Sequence, residues 1–163
     1  MSTDNTQRDL QPGDSDGLQT ADHCPTALIV EDSEHVAYLL EYMLAREGFD
    51  VLVANNGRDA ADCIASEPAR DIVLLDVMLP YKDGFEIVRE IRSSERWRET
   101  PVIMLSARSM EEDVVRALEA GANDYVTKPY NPRELLARIK RHINADKSTA
   151  ASAAAKPLRA ARS

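Results

Sequence analysis

The sequence predicts an α/β protein: five strands in a doubly wound parallel sheet, with helices on both faces. Three observations predict it. Five short aliphatic runs alternate with five stretches whose apolar residues recur at three- and four-residue spacing. The links between them are short. The central run, Ile72-Val73-Leu74-Leu75, is apolar at every position, the mark of a strand covered on both faces. A βα alternation of this kind builds a parallel sheet with right-handed crossovers.

The elements follow in order. Residues 1–25 are rich in Asp, Ser, Thr, Gln and Gly and are too polar to offset the entropy of ordering, so they read as a disordered tail. Thr26 to Val30 is the first strand, and Glu31-Asp32-Ser33 follows at once, with Asp32 or Ser33 as a helix cap. Val36, Leu39, Leu40, Met43 and Leu44 mark an amphipathic helix from His35 to Glu47, stopped by Gly48. Phe49 to Ala54 is the second strand, Asn55-Asn56-Gly57 a turn, and Arg58 to Ser66 a short helix with Ala60, Ala61 and Ile64 inward. The third strand is the run ending at Asp76. A tight loop through Pro80 to Gly84 comes next, with Gly84 expected to need a permissive backbone. Phe85, Ile87, Val88 and Ile91 mark the third helix, and a charged connection holds the single Trp97. Pro101 to Leu105 is the fourth strand, Met110 to Ala120 a helix with Val114, Val115 and Leu118 inward, and Asp124 to Thr127 a short fifth strand. Asn131 caps the last helix and Pro132 opens it; Leu135, Leu136, Ile139 and Ile143 form its stripe. The domain is read as 26–146, and 147–163 as a flexible, basic, Ala/Ser-rich tail.

Composition excludes several classes. The 163 residues suit one domain. No run approaches the ~20 apolar residues of a membrane span, and the polar N-terminus holds no signal core. Cys24 and Cys63 have no metal-ligand spacing and read as reduced thiols of a cytoplasmic protein. The N-terminal 25 residues carry five Asp and one Arg, and residues 147–163 carry two Lys and two Arg. These cancel, so residues 26–146 carry the net charge of −8 of the whole chain. Direct nucleic-acid binding by so acidic a domain is not expected.

Polar groups gather where strands end: Glu31 and Asp32 after the first, Asp76 after the third, Ser106 after the fourth and Lys128 after the fifth. In a doubly wound sheet these ends share one edge, where ligands bind. Singly, each has a plain reading: a turn-capping Asp, helix-start acids, a cap serine, a solvated lysine. Together, three converging carboxylates call for a cation, and a hard divalent ion such as Mg²⁺ suits oxygen ligands. A lysine and a hydroxyl beside them suit a tetrahedral anion. Asp76 is then the nucleophile toward phosphorus.

LIVEDS, LLDVMLPYKDG, VIMLSA and GANDYVTKPYNPRELLARI, together spanning about Thr26 to Asn144, resemble the receiver domain of two-component response regulators. The resemblance implies a flavodoxin-like sheet of order 2-1-3-4-5. It implies that Asp76 takes a phosphoryl group from a phosphohistidine on a sensor kinase or phosphotransfer protein. It implies Asp32 as a direct Mg²⁺ ligand, Glu31 holding the ion through water, and Met78 contributing only its main-chain carbonyl. Ser106, where many members have Thr, and Lys128 would contact the phosphoryl group. Lys128-Pro129 would be a cis peptide, and Tyr125 the switch aromatic. Met78 and Arg108 fall at positions that vary beside the phosphate. On this reading the chain is a phospho-acceptor rather than an enzyme.

The signal would leave through the fourth helix, fifth strand and fifth helix. Arg116, Glu119, Asp124, Glu134, Arg138 and Arg141 read as part of that face, which also suits a phosphorylation-dependent homodimer. A stand-alone regulator is favoured over a fragment of a DNA-binding one; the downstream target stays unnamed. Two rivals are a docking module that is never phosphorylated and an aspartyl-phosphate enzyme of the haloacid dehalogenase type. The latter carries an Asp-x-Asp motif after its first strand, whereas here Asp76-Val77-Met78 follows the third.

Overall fold

A computed structural model describes residues 23–154, with side chains through Ser148. The tail read as disordered lies outside these residues up to position 22, and so does the end of the basic tail, 155–163. The elements are β1 (Thr26–Val30), α1 (Glu34–Arg46), β2 (Asp50–Ala54), α2 (Gly57–Ser66), β3 (Ile72–Asp76), α3 (Gly84–Ser93), β4 (Val102–Ser106), α4 (Glu111–Ala120), β5 (Asp124–Thr127) and α5 (Pro132–Ala154). All four strand pairings are parallel and the order is β2-β1-β3-β4-β5, as expected.

Strand periodicity divides the core into two layers. Leu28, Val30, Val73, Leu75 and Met104 face one way, against Ala60 and Ile64 of α2, Phe85, Val88 and Ile91 of α3, and Ala117 of α4. Ala27, Ile29, Ile72, Leu74, Ile103 and Leu105 face the other, against Leu40 and Leu44 of α1 and Leu135, Ile139 and Ile143 of α5. Every residue of β3 and β4 is buried, because each has a strand on either side and helices above and below.

Four of the five helices begin with a side chain that satisfies their free amides. Ser33 accepts from Val36 N and Asn56 from Asp59 N. Asp83 and Glu86 form a reciprocal capping box, and Asn131 accepts from Arg133 N. α4 is the exception: Met110 stands at its cap and makes no side-chain bond.

Some expectations need correction. Val115 and Leu118 do not point inward; they are 45% and 49% exposed, and α4 seats the small Ala117 on the core instead. Leu39 of α1 is likewise half exposed, with Ala37 buried in its stead. Trp97 lies in the charged link between α3 and β4, as read from the sequence, and the structure adds its burial. It is fully buried, and its indole N–H reaches Glu67 O at 3.3 Å. α5 continues past residue 146 to Ala154, into the start of the segment read as a tail, because alanine-rich sequence propagates a helix already begun.

Candidate functional site

The sheet's order and register bring the strand ends together. Val30 pairs with Leu75, and Asp76 with Leu105, so Glu31 follows β1 next to Asp76, and Ser106 lies one step past Asp76's partner on β4. Ser106 pairs with Thr127, which sets Lys128 just beyond β5. The Lys128-Pro129 peptide is cis.

Ligand-capable oxygens of Glu31, Asp32 and Asp76 lie within 4.8 Å of one another. Glu31 and Asp76 are buried and Asp32 is exposed. The Lys128 ammonium donates to Glu31 Oε2 at 2.8 Å and to Asp76 Oδ2 at 3.1 Å. Glu31 Oε1 accepts the Ser33 N–H at 3.1 Å, and Asp76 Oδ1 accepts the Met78 N–H at 3.1 Å. One ammonium thus faces three carboxylates, leaving a negative excess that a hard divalent cation would neutralise.

Titration follows from this crowding. Burial pushes the Glu31 carboxyl above the usual carboxylate range, against the pull of the Lys128 hydrogen bond. Burial would lower the Lys128 ammonium, but its bond to Glu31 and the charge of Asp76 outweigh that and hold it above the ordinary lysine value.

Beside the acids opens a cleft of about 530 Å³, lined among others by Asp32, Met78, Phe85, Arg108 and Arg116. Met78 is 56% exposed, so at this position the main chain, not the side chain, is turned to Asp76. Gly84 is required for closeness rather than for an unusual φ: a Cβ there would lie 2.4 Å from the Asp76 carbonyl oxygen. The positive φ of the loop falls instead on Tyr81, at 71°.

Ser106 is fully buried, and its Oγ accepts the Arg108 N–H at 3.1 Å. Tyr125 is not in the cleft. It is half-buried on β5, and its hydroxyl donates to Arg108 O at 2.7 Å. Serine and tyrosine therefore hold opposite sides of one peptide segment.

Arg116, expected on the charged outer face, lies elsewhere. Its guanidinium sits 4.1 Å from the Phe85 ring centroid and lines the cleft. Sequence gave no sign of this, because helical spacing places Arg116 on a face without saying which neighbour α3 offers. Asp124 accepts from Arg138 at 2.9 and 3.1 Å, and lies 3.3 Å from His142 and 3.5 Å from Arg141. Arg138 also binds Glu134 at 2.8 Å. Asp124, Glu134, Arg138 and Arg141 are thus paired within the chain.

Residues 27–140 match the family model described as the response regulator receiver domain. Three solved structures are similar along their whole length. The receiver domain of sensor histidine kinase PA1611 from Pseudomonas aeruginosa, with magnesium coordinated in its active-site cleft, is 34% identical; the match covers 74% of this chain and 98% of that one, with a TM-score of 0.68. The BeF3-activated receiver domain of RstA from Klebsiella pneumoniae is 36% identical over 72% and 97%, with a TM-score of 0.67. The chemotaxis regulator CheY4 of Vibrio cholerae is 30% identical over 72% and 98%, with a TM-score of 0.68.

Proposed function

Because the chain belongs to the response regulator receiver domain family, we propose that it is a phosphorylation switch whose acceptor is Asp76. The phosphoryl group comes from a phosphohistidine on a sensor histidine kinase or phosphotransfer protein. One Asp76 carboxylate oxygen attacks phosphorus; the O–P bond forms as the N–P bond breaks, and the electron pair leaves with the imidazole, which takes a proton. The single observation that carries this reading is the gathering of Glu31, Asp32 and Asp76 at the ends of β1 and β3, with Lys128 from the end of β5 bonded to Glu31 and Asp76.

The residues fit Mg²⁺. Three carboxylates within 4.8 Å and one ammonium leave the excess charge described above. Asp32 and Asp76 would hold the ion directly, Glu31 through water and Met78 through its carbonyl. When bound, Mg²⁺ offsets the negative charge that attacking carboxylate and incoming phosphoryl group bring together. Lys128 supplies the positive charge on the other side, exchanging part of its pairing with Glu31 and Asp76 for a phosphoryl oxygen. Ser106 offers its hydroxyl to a second oxygen.

The output reading rests on the Arg108 segment. Moving Ser106 toward the phosphoryl group draws on the Arg108 N–H, and Arg108 O is what Tyr125 binds. The proposed signal leaves through α4, β5 and α5. A phosphorylation-dependent dimer through this face would trade the in-chain pairs of Asp124 and Arg138 for pairs with a second copy. The protein acts as a phospho-acceptor on itself, not as an enzyme on other substrates, in the cytoplasm.

Phosphotransfer profiling against a panel of sensor kinases, with Asp76→Asn as control, tests the acceptor. Transfer to wild type and none to the variant is expected; equal labelling of both would refute it. Sedimentation with and without beryllofluoride and Mg²⁺ tests the dimer, and an unchanged monomer would remove it.

A further inference from the structure

The Asn55-Asn56-Gly57 turn plays no part in the phosphoryl chemistry just described, yet it meets the loop that follows Asp76. Gly57 donates its N–H to Pro80 O at 3.1 Å. A Cβ on Gly57 would lie 2.2 Å from the Lys82 carbonyl oxygen and 2.8 Å from its nitrogen, so only glycine lets the two backbones approach. Lys82 N–H in turn reaches back to Pro80 O at 2.9 Å around Tyr81, whose φ is 71°. That is a γ-turn in a region that L residues disfavour, occupied here by a bulky one. The next residue of α2, Arg58, lays its guanidinium 4.1 Å from the Tyr81 ring centroid. The loop's other end is fastened near the acceptor, by Met78 N–H on Asp76 Oδ1 and by Gly84 N–H on Val77 O at 2.8 Å.

We propose that Gly57, Arg58 and Tyr81 form a latch between α2 and the β3–α3 loop, and that they are positioning residues for the Met78 main chain beside Asp76. This rests on the reading of Asp76 as a Mg²⁺-dependent phospho-acceptor. A loop held at only one end lets Met78 sample positions away from the cation site. Arg58 restrains Tyr81 from outside and Gly57 admits the turn from inside, so the two act on the same segment by different means. The tyrosine hydroxyl has no role in this arrangement; the ring does.

The test is Mg²⁺ titration of beryllofluoride binding, alongside amide hydrogen exchange of the metal-free protein. Wild type binding the mimic, and Asp76→Asn failing to, checks the acceptor reading separately; failure of wild type would sink that reading, not the latch alone. In Arg58→Ala the Mg²⁺ concentration at half-saturation is expected to rise about two- to fivefold, the size of an exposed cation–π contact. Exchange at the Met78 and Lys82 amides should quicken by a similar factor, while amides of β3 and β4 keep their wild-type rates. Gly57→Ala should raise half-saturation further, and Tyr81→Phe should match wild type. Arg58 is exposed, so its variant keeps the test decisive even where Gly57→Ala fails to fold. Unchanged half-saturation and exchange in Arg58→Ala would overturn the latch, and so would Tyr81→Phe behaving like Arg58→Ala.

Discussion

Replacing Asp32 with Asn should stabilise the metal-free protein and abolish its stabilisation by Mg²⁺. Asp32 lies within 4.8 Å of Glu31 and Asp76, while Lys128 pairs with those two and not with it. At that separation two like charges repel by about 0.9 kcal/mol at water's dielectric and by about 3.5 kcal/mol at an effective constant of 20. Asp32 is exposed, so the lower figure applies. Two such repulsions, less the attraction of Lys128 across the same cluster, leave roughly 1 kcal/mol in favour of the neutral amide. Urea unfolding in EDTA reads this as a rise in midpoint of roughly 0.5–1 M. Molar NaCl should shrink the gain, since the screening length falls to about 3 Å. With Mg²⁺ at ten times its dissociation constant, wild type gains about 1.4 kcal/mol and the variant little, so the order of stabilities reverses. A variant less stable than wild type in EDTA, or one that gains as much from Mg²⁺, would refute the charge argument.

Three further outcomes follow from other parts of the molecule. Gly84→Ala drives a methyl against the Asp76 carbonyl and the Val77 Cα, 2.4 and 2.9 Å from the new atom. Calorimetry should show a loss of about 1–3 kcal/mol, with weaker beryllofluoride binding. Arg92 donates to the carbonyls of Gly121, Arg98 and Thr100 and to Asn123 Oδ1, at 2.7–2.9 Å. Arg92→Ala removes the donor from the three carbonyls, while Asn123 Oδ1 keeps the Val102 N–H, and should cost about 2–3 kcal/mol in urea unfolding. Burial would raise the Asp124 carboxyl, but hydrogen bonds from Arg138 and His142 and the Tyr125 N–H hold it below its ordinary 3.8. The stability it adds is complete above 3.8 and lost as pH falls through the lower, folded value. The urea midpoint of Asp124→Asn should therefore fall less steeply than that of wild type below about pH 4.

The sheet was legible because its central strands are covered on both faces, so Ile72 to Leu75 and Val102 to Leu105 admit no polar residue until the edge is reached. Asp76 and Ser106 stand out for the same reason: each is the first polar group after an apolar run, and parallel order puts all such ends together. What escaped the sequence depends on the identity of neighbours. α4 offers Val114, Val115, Leu118 and Ala117 at compatible spacings, and only the closeness of the sheet selects the alanine. Trp97 sits among charges in the chain, but it belongs to the buried core and its indole N–H reaches Glu67 O, thirty residues away. Tyr81 has a side chain that sequence rules assign to φ below zero, and the turn that overrides them is held from α2.

The loose seating of α4 bears on where a phosphoryl signal would travel. A segment that responds to a small force must have little holding it in one place. α1, α2, α3 and α5 each start on a side-chain cap and bury at least one large aliphatic residue, from Ile64 alone in α2 to Ile87, Val88 and Ile91 in α3. α4 has neither: its cap position, Met110, bonds nothing through its side chain, and its single fully buried residue is Ala117. Its first turn does carry Glu111, Glu112 and Asp113, which suit the helix dipole but fix no geometry. The link into α4 is the peptide segment that Ser106 and Tyr125 hold from either side. On the proposed reading, a pull at Ser106 would meet its weakest resistance in the direction of α4. There Val115 and Leu118 already lie half in solvent, and a shift of this helix would change the apolar surface offered to a partner without uncovering the core.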